Sequence, residues 1–230
     1  MKTVAIIPAG GSGKRMGGIT PKQYLSLSGM PILVYTLRIF QTSLLIDEII
    51  LAVPKTDVPD VRENIVEQYG LSKVSFIIPG GKERQDSVRN ALCYVDDEAE
   101  IVVVHDGVRP LVTTALLEEV IKKARELGAV VSGVDINDTV KRIDSNGKIA
   151  ETVPRNFLWL TQTPQAFKRE VIVEAYRRAY QEGFYGTDDA SLVEKTGVPV
   201  WMVSGDRNNI KITTKEDIIL CEMMLRCSES

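Results

Sequence analysis

The chain has 230 residues, 44% of them hydrophobic, and carries 28 Lys and Arg against 31 Asp and Glu, a formal net charge of −3. That length allows one large domain or two small ones with a sizeable core, and the acidic balance excludes the broad basic face expected of a nucleic-acid-binding domain. One histidine rules out a multi-histidine metal site, and Cys93, Cys221 and Cys227 show no metal-ligand spacing, so the reading is a reducing, cytoplasmic setting. No apolar run approaches a membrane span, and no leader-like segment is read ahead of the first predicted strand, so neither a membrane nor a nucleic acid is expected as a partner.

The first predicted strand, 4–8, runs into Ala9-Gly10-Gly11-Ser12-Gly13-Lys14-Arg15-Met16, with Lys22 a few residues on. Glycines let backbone N–H groups converge on one concavity. Arg15 and Lys22 add cations beside it, a combination suited to a triphosphate. Two commoner phosphate loops do not fit. A Walker loop needs Gly, four residues, then Gly-Lys-Ser/Thr, but Arg15 follows Gly13-Lys14 and Pro8 stands five residues before Gly13. A dinucleotide fingerprint needs a third glycine or alanine, and Met16 holds that place.

Further strands are predicted at 49–53, 74–78, 101–105 and 130–134, each a near-continuous apolar run. Helical patterns fill the gaps at 31–42, opened by Pro31, and at 58–69, 85–95 and 114–127. This alternation predicts a three-layer α/β/α architecture on a mostly parallel sheet, with ligands beyond the carboxyl ends of the strands. Gly80-Gly81 and the helix start after them can present N–H groups to a base or phosphate, with Ser87 reaching a base carbonyl. The same run also reads as a plain turn capped by Asp86 or Ser87. Asp106, at a strand end, and Arg109 suit polyol hydroxyls and a phosphate. His105 ends a buried strand and is read as bonding locally.

After residue 134 the pattern changes. Segments 139–144 and 148–153 flank Ser145-Asn146-Gly147, a strong hairpin signal. They carry too little apolar surface for a core, which predicts a projecting β-arm, 136–156, within a single domain spanning 1–230. An isolated two-stranded ribbon is marginal in water, so the arm should pack on a partner subunit. Thr139 lies near its start, and Arg155 closes its return, where local sequence alone reads a solvated charge. Thr161-Gln162-Thr163-Pro164-Gln165 reads as a polar turn. Helices follow at 168–182 and 189–195, the second capped around Thr187-Asp188-Asp189. Strands are expected at 198–203 and 209–212, with Lys211 pointing into a cleft or lying on an edge. Thr213 to Glu216 reads as a capping box opening the last helix.

Taken in order, these segments resemble the 2-C-methyl-D-erythritol 4-phosphate cytidylyltransferase family over nearly the whole chain. The matching residues are the glycine loop from Ala9 to Met16, Pro21 to Tyr24, Gly80-Gly81 with Glu83-Arg84 and Asp86 to Val88, His105-Asp106 with Arg109-Pro110, Asp138 to Lys141, Arg155-Asn156, Thr163 to Gln165, Thr187-Asp188 and Asn209 to Lys211. The loop alone marks only a wider nucleotidyltransferase superfamily; the set with Arg155, Thr163 and Lys211 is more specific. Two departures are Lys82, where the family often has an acid, and Gly107-Val108, where it more usually has alanines.

The resemblance implies a Rossmann-like nucleotidyltransferase fold and transfer of CMP from CTP to methylerythritol phosphate, with Mg²⁺ carried mainly on the CTP phosphates and no dedicated protein metal site. It implies a homodimer with exchanged arms. Arg15, Lys22, Arg155 and Lys211 would be the catalytic cations. Pro8, Ala9, Gly10, Gly11, Gly13, Gly81, Ser87 and Asp106 would take the nucleotide. Asp106, Arg109, Thr163, Thr187 and, from the partner, Thr139 would take the alcohol. Two alternatives stay open on sequence: a ribitol 5-phosphate cytidylyltransferase, and a non-catalytic nucleotide-binding subunit.

Overall fold

In the computed structural model, which describes residues 2–11 and 21–228, β1 (Lys2–Pro8) is followed by a small hairpin of β2 (Ser26–Leu27) and β3 (Met30–Pro31). Next come α1 (Ile32–Thr42), β4 (Glu48–Val53), α2 (Val58–Val61), β5 (Val74–Pro79), α3 (Arg84–Leu92), β6 (Ala99–Val104), α4 (Thr114–Leu127) and β7 (Ala129–Asp135). The chain continues through β8 (Val140–Ile143), β9 (Ile149–Val153), β10 (Trp159–Lys168), α5 (Arg169–Gln181), α6 (Asp189–Lys195), β11 (Trp201–Ser204) and α7 (Lys215–Ser228).

Seven strands form one sheet in the order β11-β7-β10-β6-β1-β4-β5. All neighbours run parallel except β10, which is antiparallel to both β6 and β7. Side chains alternate across β1, and each face finds its own helices. Ala5 and Ile7 pack with Leu33, Leu37 and Phe40 of α1 and with Leu117 and Ile121 of α4. Val4 and Ile6 pack with Val88 and Ala91 of α3 and with Ile172 and Tyr176 of α5. Each fully buried large apolar side chain there stabilises the fold by roughly 1.5–3 kcal/mol relative to exposure. These are the three layers expected. Among the described residues no helix is long and apolar enough to cross a membrane.

Local chemistry sets the element ends. The Thr113 hydroxyl accepts the Leu116 N–H at the start of α4, and Gly128, with φ +90°, closes its end. The predicted helix 58–69 is instead α2 followed by a π-helical segment, Arg62–Glu67. The last helix is capped one residue later than expected. Asp217 Oδ2 accepts the Thr213 and Thr214 N–H groups, while the Asp217 N–H donates to Thr214 Oγ1.

Three further sequence expectations need correction. The Thr161–Gln165 run is not a turn but lies inside β10, a central strand; its pairing with β7 shifts between Thr161 and Gln165, so the polar run sits where the ladder opens. No strand forms at 209–212, because its backbone bonds go to loops and side chains: the Ile212 N–H donates to Val108 O, and Arg109 Nη1 donates to Asn209 O. The strand expected at 198–203 begins only at Trp201, past Pro199. The hairpin forms where Asn146-Gly147 places it, with β8 and β9 paired antiparallel in a separate two-stranded sheet.

Candidate active site

β1 and β6 are adjacent parallel strands, so the loops leaving their carboxyl ends meet. The β6 exit carries Asp106 and Arg109; Asp106 is tied down when its N–H donates to Thr163 Oγ1 at 3.1 Å. The chain around Lys211 is stitched to the same place, since Asn209 Nδ2 donates to Thr163 O at 2.8 Å and Lys22 Nζ donates to Ile212 O at 3.0 Å.

Two cavities open there. The first, about 380 Å³, is lined by Pro8, Ala9, Gly10, Gly11, Lys22 and Gln23 on the β1 side and by Gly81, Lys82, Glu83 and Ser87 on the α3 side. The second, about 390 Å³, is lined by Arg109, Thr161, Gln162, Thr163 and Gln165 together with Thr187 and Asp188 just before α6 and Ser191 and Glu194 along it. Arg84, Asp106 and Lys211 line both cavities, so the two compartments share one charged boundary.

That boundary is an ion network. Arg84 Nε donates to Asp106 Oδ1 at 2.8 Å, and Lys211 Nζ lies 2.9 Å from Asp106 Oδ2, with Arg109 Nε at 3.5 Å. Burial alone would raise the Asp106 pKa, but Arg84, Lys211 and Arg109 together hold it well below the ordinary carboxylate range, so Asp106 is an anion. Burial also lowers the Arg109 pKa, against the pull of Asp106. His105 is fully buried beside Phe40, with its Nε2 3.4 Å from Arg109 O. Desolvation pushes its pKa down to about 3, so it is neutral at pH 7.

The nucleotide-side turn depends on close approach. A Cβ on Gly81 would sit 2.1 Å from Asp86 Cβ, so only glycine fits there. The Gly81 N–H donates to Ser87 Oγ, which in turn donates to Glu83 O. The start of α3 is held by the Glu83 N–H donating to Asp86 Oδ2.

The sequence profile of the 2-C-methyl-D-erythritol 4-phosphate cytidylyltransferase family matches residues 3–227. The chain belongs to this family. The protein of that description from Syntrophus aciditrophicus is 54% identical over 99% of this chain and 97% of its own length. The one from Geobacter metallireducens is 47% identical over 98% of each chain. Among solved structures, the 4-diphosphocytidyl-2C-methyl-D-erythritol synthase of Anaerococcus prevotii superposes with a TM-score of 0.86 at 35% identity, covering 98% of this chain and 96% of that one. The cytidylyltransferase of Thermus thermophilus gives 0.81 at 30% identity, covering 98% and 100%. The fold is that of these Rossmann-like enzymes, and the chain is a nucleotidyltransferase of the cytidylyl class.

Of the residues singled out in the sequence of this cytidylyltransferase, Pro8, Ala9, Gly10, Gly11, Lys22, Gly81 and Ser87 line the first cavity, and Arg109, Thr163 and Thr187 the second. Asp106 and Lys211 stand between. Gly13 and Arg15 lie outside the described residues. Thr139 and Arg155 are exposed on the arm and its return; Arg155 Nη1 donates to Asn137 O, and neither residue lines either cavity. Sequence reasoning passed over Arg84 as a site residue, along with Gln162, Asp188 and Ser191. A single arginine after Gly80-Gly81 gives no local sign that its guanidinium faces two compartments.

Proposed function

We infer that the enzyme transfers CMP from CTP to 2-C-methyl-D-erythritol 4-phosphate, releasing pyrophosphate and 4-diphosphocytidyl-2-C-methyl-D-erythritol, with CTP in the first cavity and the alcohol in the second. The observation that carries this reading is the shared boundary of Arg84, Asp106 and Lys211 between two adjoining polar cavities. Two substrates held on either side bring a phosphate of one against the α-phosphorus of the other.

The nucleophile is a phosphate monoester with a second pKa of about 6, so it is largely ionised at pH 7 and needs no general base. The neutral, buried His105 fits that economy. The barrier lies in bringing two anions together, and positioned cations lower it. Lys22 and Lys211 border the nucleotide cavity, and Arg15 would join them from the glycine loop. Glycine backbone around Gly10 and Gly81 would read cytosine, while Asp106 and Thr187 would take alcohol hydroxyls. Mg²⁺ belongs to the reading as an ion riding on the triphosphate. The donor set fits such an ion: Asp106, the carboxylate bordering both cavities, is already held by three cations, so phosphate oxygens would supply most of the shell. Bound there, it would neutralise triphosphate charge.

The reading includes a homodimer in which the arm of one subunit brings Thr139 and Arg155 to the alcohol phosphate of the other, and a cytoplasmic enzyme. Support for the dimer comes from the arm's isolation and from apolar side chains exposed near its base: Phe157 is 92% exposed, with Trp159 and Leu160, opposite the end of β7, also exposed. Pyrophosphate release measured with methylerythritol phosphate and with ribitol 5-phosphate tests the substrate. A higher kcat/KM for methylerythritol phosphate is expected; equal or better turnover of ribitol phosphate overturns the assignment. CTP binding with no release for either alcohol would leave only a nucleotide-binding subunit.

A further inference from the structure

Arg84 is held from behind by a residue that borders neither cavity. Its Nη2 donates to Asp189 Oδ2 at 2.8 Å, while its Nε donates to Asp106 Oδ1 at 2.8 Å. Asp189, the first residue of α6, has no exposed surface. Its other oxygen, Oδ1, accepts the hydroxyl of Tyr176, from the buried face of α5. One guanidinium therefore forks between two carboxylates from different elements, and the far carboxylate is fixed through both of its oxygens.

We propose that Asp189 and Tyr176 are positioning residues of the alcohol site, acting through Arg84 to hold the Asp106 carboxylate in place when Lys211 is drawn away to substrate phosphate. Asp106 Oδ2 is shared by Lys211 and Arg109, and its Oδ1 belongs to Arg84. Once an incoming phosphate competes for Lys211, Arg84 is the close partner that keeps Asp106 paired and aimed at the second cavity. The guanidinium borders both openings with its side chain 28% exposed. Without the Asp189 anchor it has another attraction, the triphosphate in the first cavity. Burial draws the Arg84 pKa down, but Asp189 and Asp106 raise it well above its ordinary value, so the fork stays charged throughout.

The inference rests on the assignment of the alcohol to the second cavity, and wild-type turnover tests that assignment separately. Given wild-type activity, Tyr176→Phe keeps the ring in its packing and deletes one hydrogen bond. It should raise KM for the alcohol phosphate about five-fold, as expected for one lost hydrogen bond, with KM for CTP within two-fold and the melting temperature nearly unchanged. Asp189→Asn should raise the alcohol KM further. Arg84→Lys should raise it as well, because a single ammonium lacks the two-armed reach. Wild-type KM for the alcohol in Tyr176→Phe, or KM values for both substrates rising together, overturns the proposal; so does wild-type behaviour of Arg84→Lys. Should Asp189→Asn not fold, Tyr176→Phe decides.

Discussion

Lys22 and Lys211 meet the nucleotide cavity from different ends of the sequence, and each is steered by a named partner: Ile212 O for Lys22, the Asp106 carboxylate for Lys211. Interactions strengthened only as charge redistributes in the transition state appear in kcat rather than KM. Lys22→Ala and Lys211→Ala should therefore each lower kcat by about 10²–10³-fold, the loss seen for one removed oxyanion donor, with KM for CTP changing little. Steady-state kinetics check this; a raised KM for CTP at intact kcat would make that lysine a ground-state anchor. His105 makes a different residue-level prediction. Its folded pKa of about 3 lies below the ordinary 6.5, so between those values the unfolded chain binds the extra proton and stability falls as pH falls. The slope for one such group approaches about 1.4 kcal/mol per pH unit. Urea midpoints from pH 6.5 to 4.5 should fall more steeply for the wild type than for His105→Gln, and parallel curves would contradict the assignment. Asp106, also depressed, adds acid sensitivity of the same sign at lower pH.

At the scale of elements, the nucleotide cavity depends on how closely α3 starts behind the Gly80-Gly81 turn. Gly81→Ala places a methyl 2.1 Å from Asp86 Cβ, so the start of α3 must move and the Gly81 to Ser87 bond with it. Overpacking of this kind costs roughly 1–3 kcal/mol of stability. We expect a lower denaturation midpoint and KM for CTP raised about ten-fold, near ~1.4 kcal/mol of binding, while wild-type values for both would mean the turn has room to spare. The same elements explain what could be read in advance. Strands whose two faces are both covered are continuous apolar runs, so β1, β4, β6 and β7 are plain in the sequence, as is the Asn146-Gly147 hairpin. β10 is hidden because its middle is polar and holds Pro164, yet those polar groups have fixed structural partners: Thr163 Oγ1 accepts the Asp106 N–H, and Gln165 Nε2 donates to Asp188 Oδ2. The Ile210-Lys211-Ile212 alternation imitates a strand, but its bonding partners come from the β6 exit loop, which no local pattern reveals. Arg84 is silent in sequence for the same reason: its meaning lies in two carboxylates, 22 and 105 residues away.

At the scale of the molecule, the β8–β9 arm has no large buried side chain of its own, with Ile143 and Ile149 both exposed, and Phe157 and Leu160 continue an apolar surface at its base. A ribbon of this kind gains stability only against another surface, and an isologous dimer would cover it on both subunits at once. On the proposed function a complete site would span that dimer, with the cavities and Lys22 from one chain and Arg155 from the other's arm. Lys22→Ala and Arg155→Ala homodimers should then each be nearly inactive. Co-refolding the two in equal amounts tests this most directly. Random pairing makes half the dimers hybrids, in which one site collects both lesions and the other none, so activity should recover to about a quarter of the wild type. No recovery in a mixture whose hybrids are verified by mass, or a wild-type protein that is monomeric in solution, would contradict it.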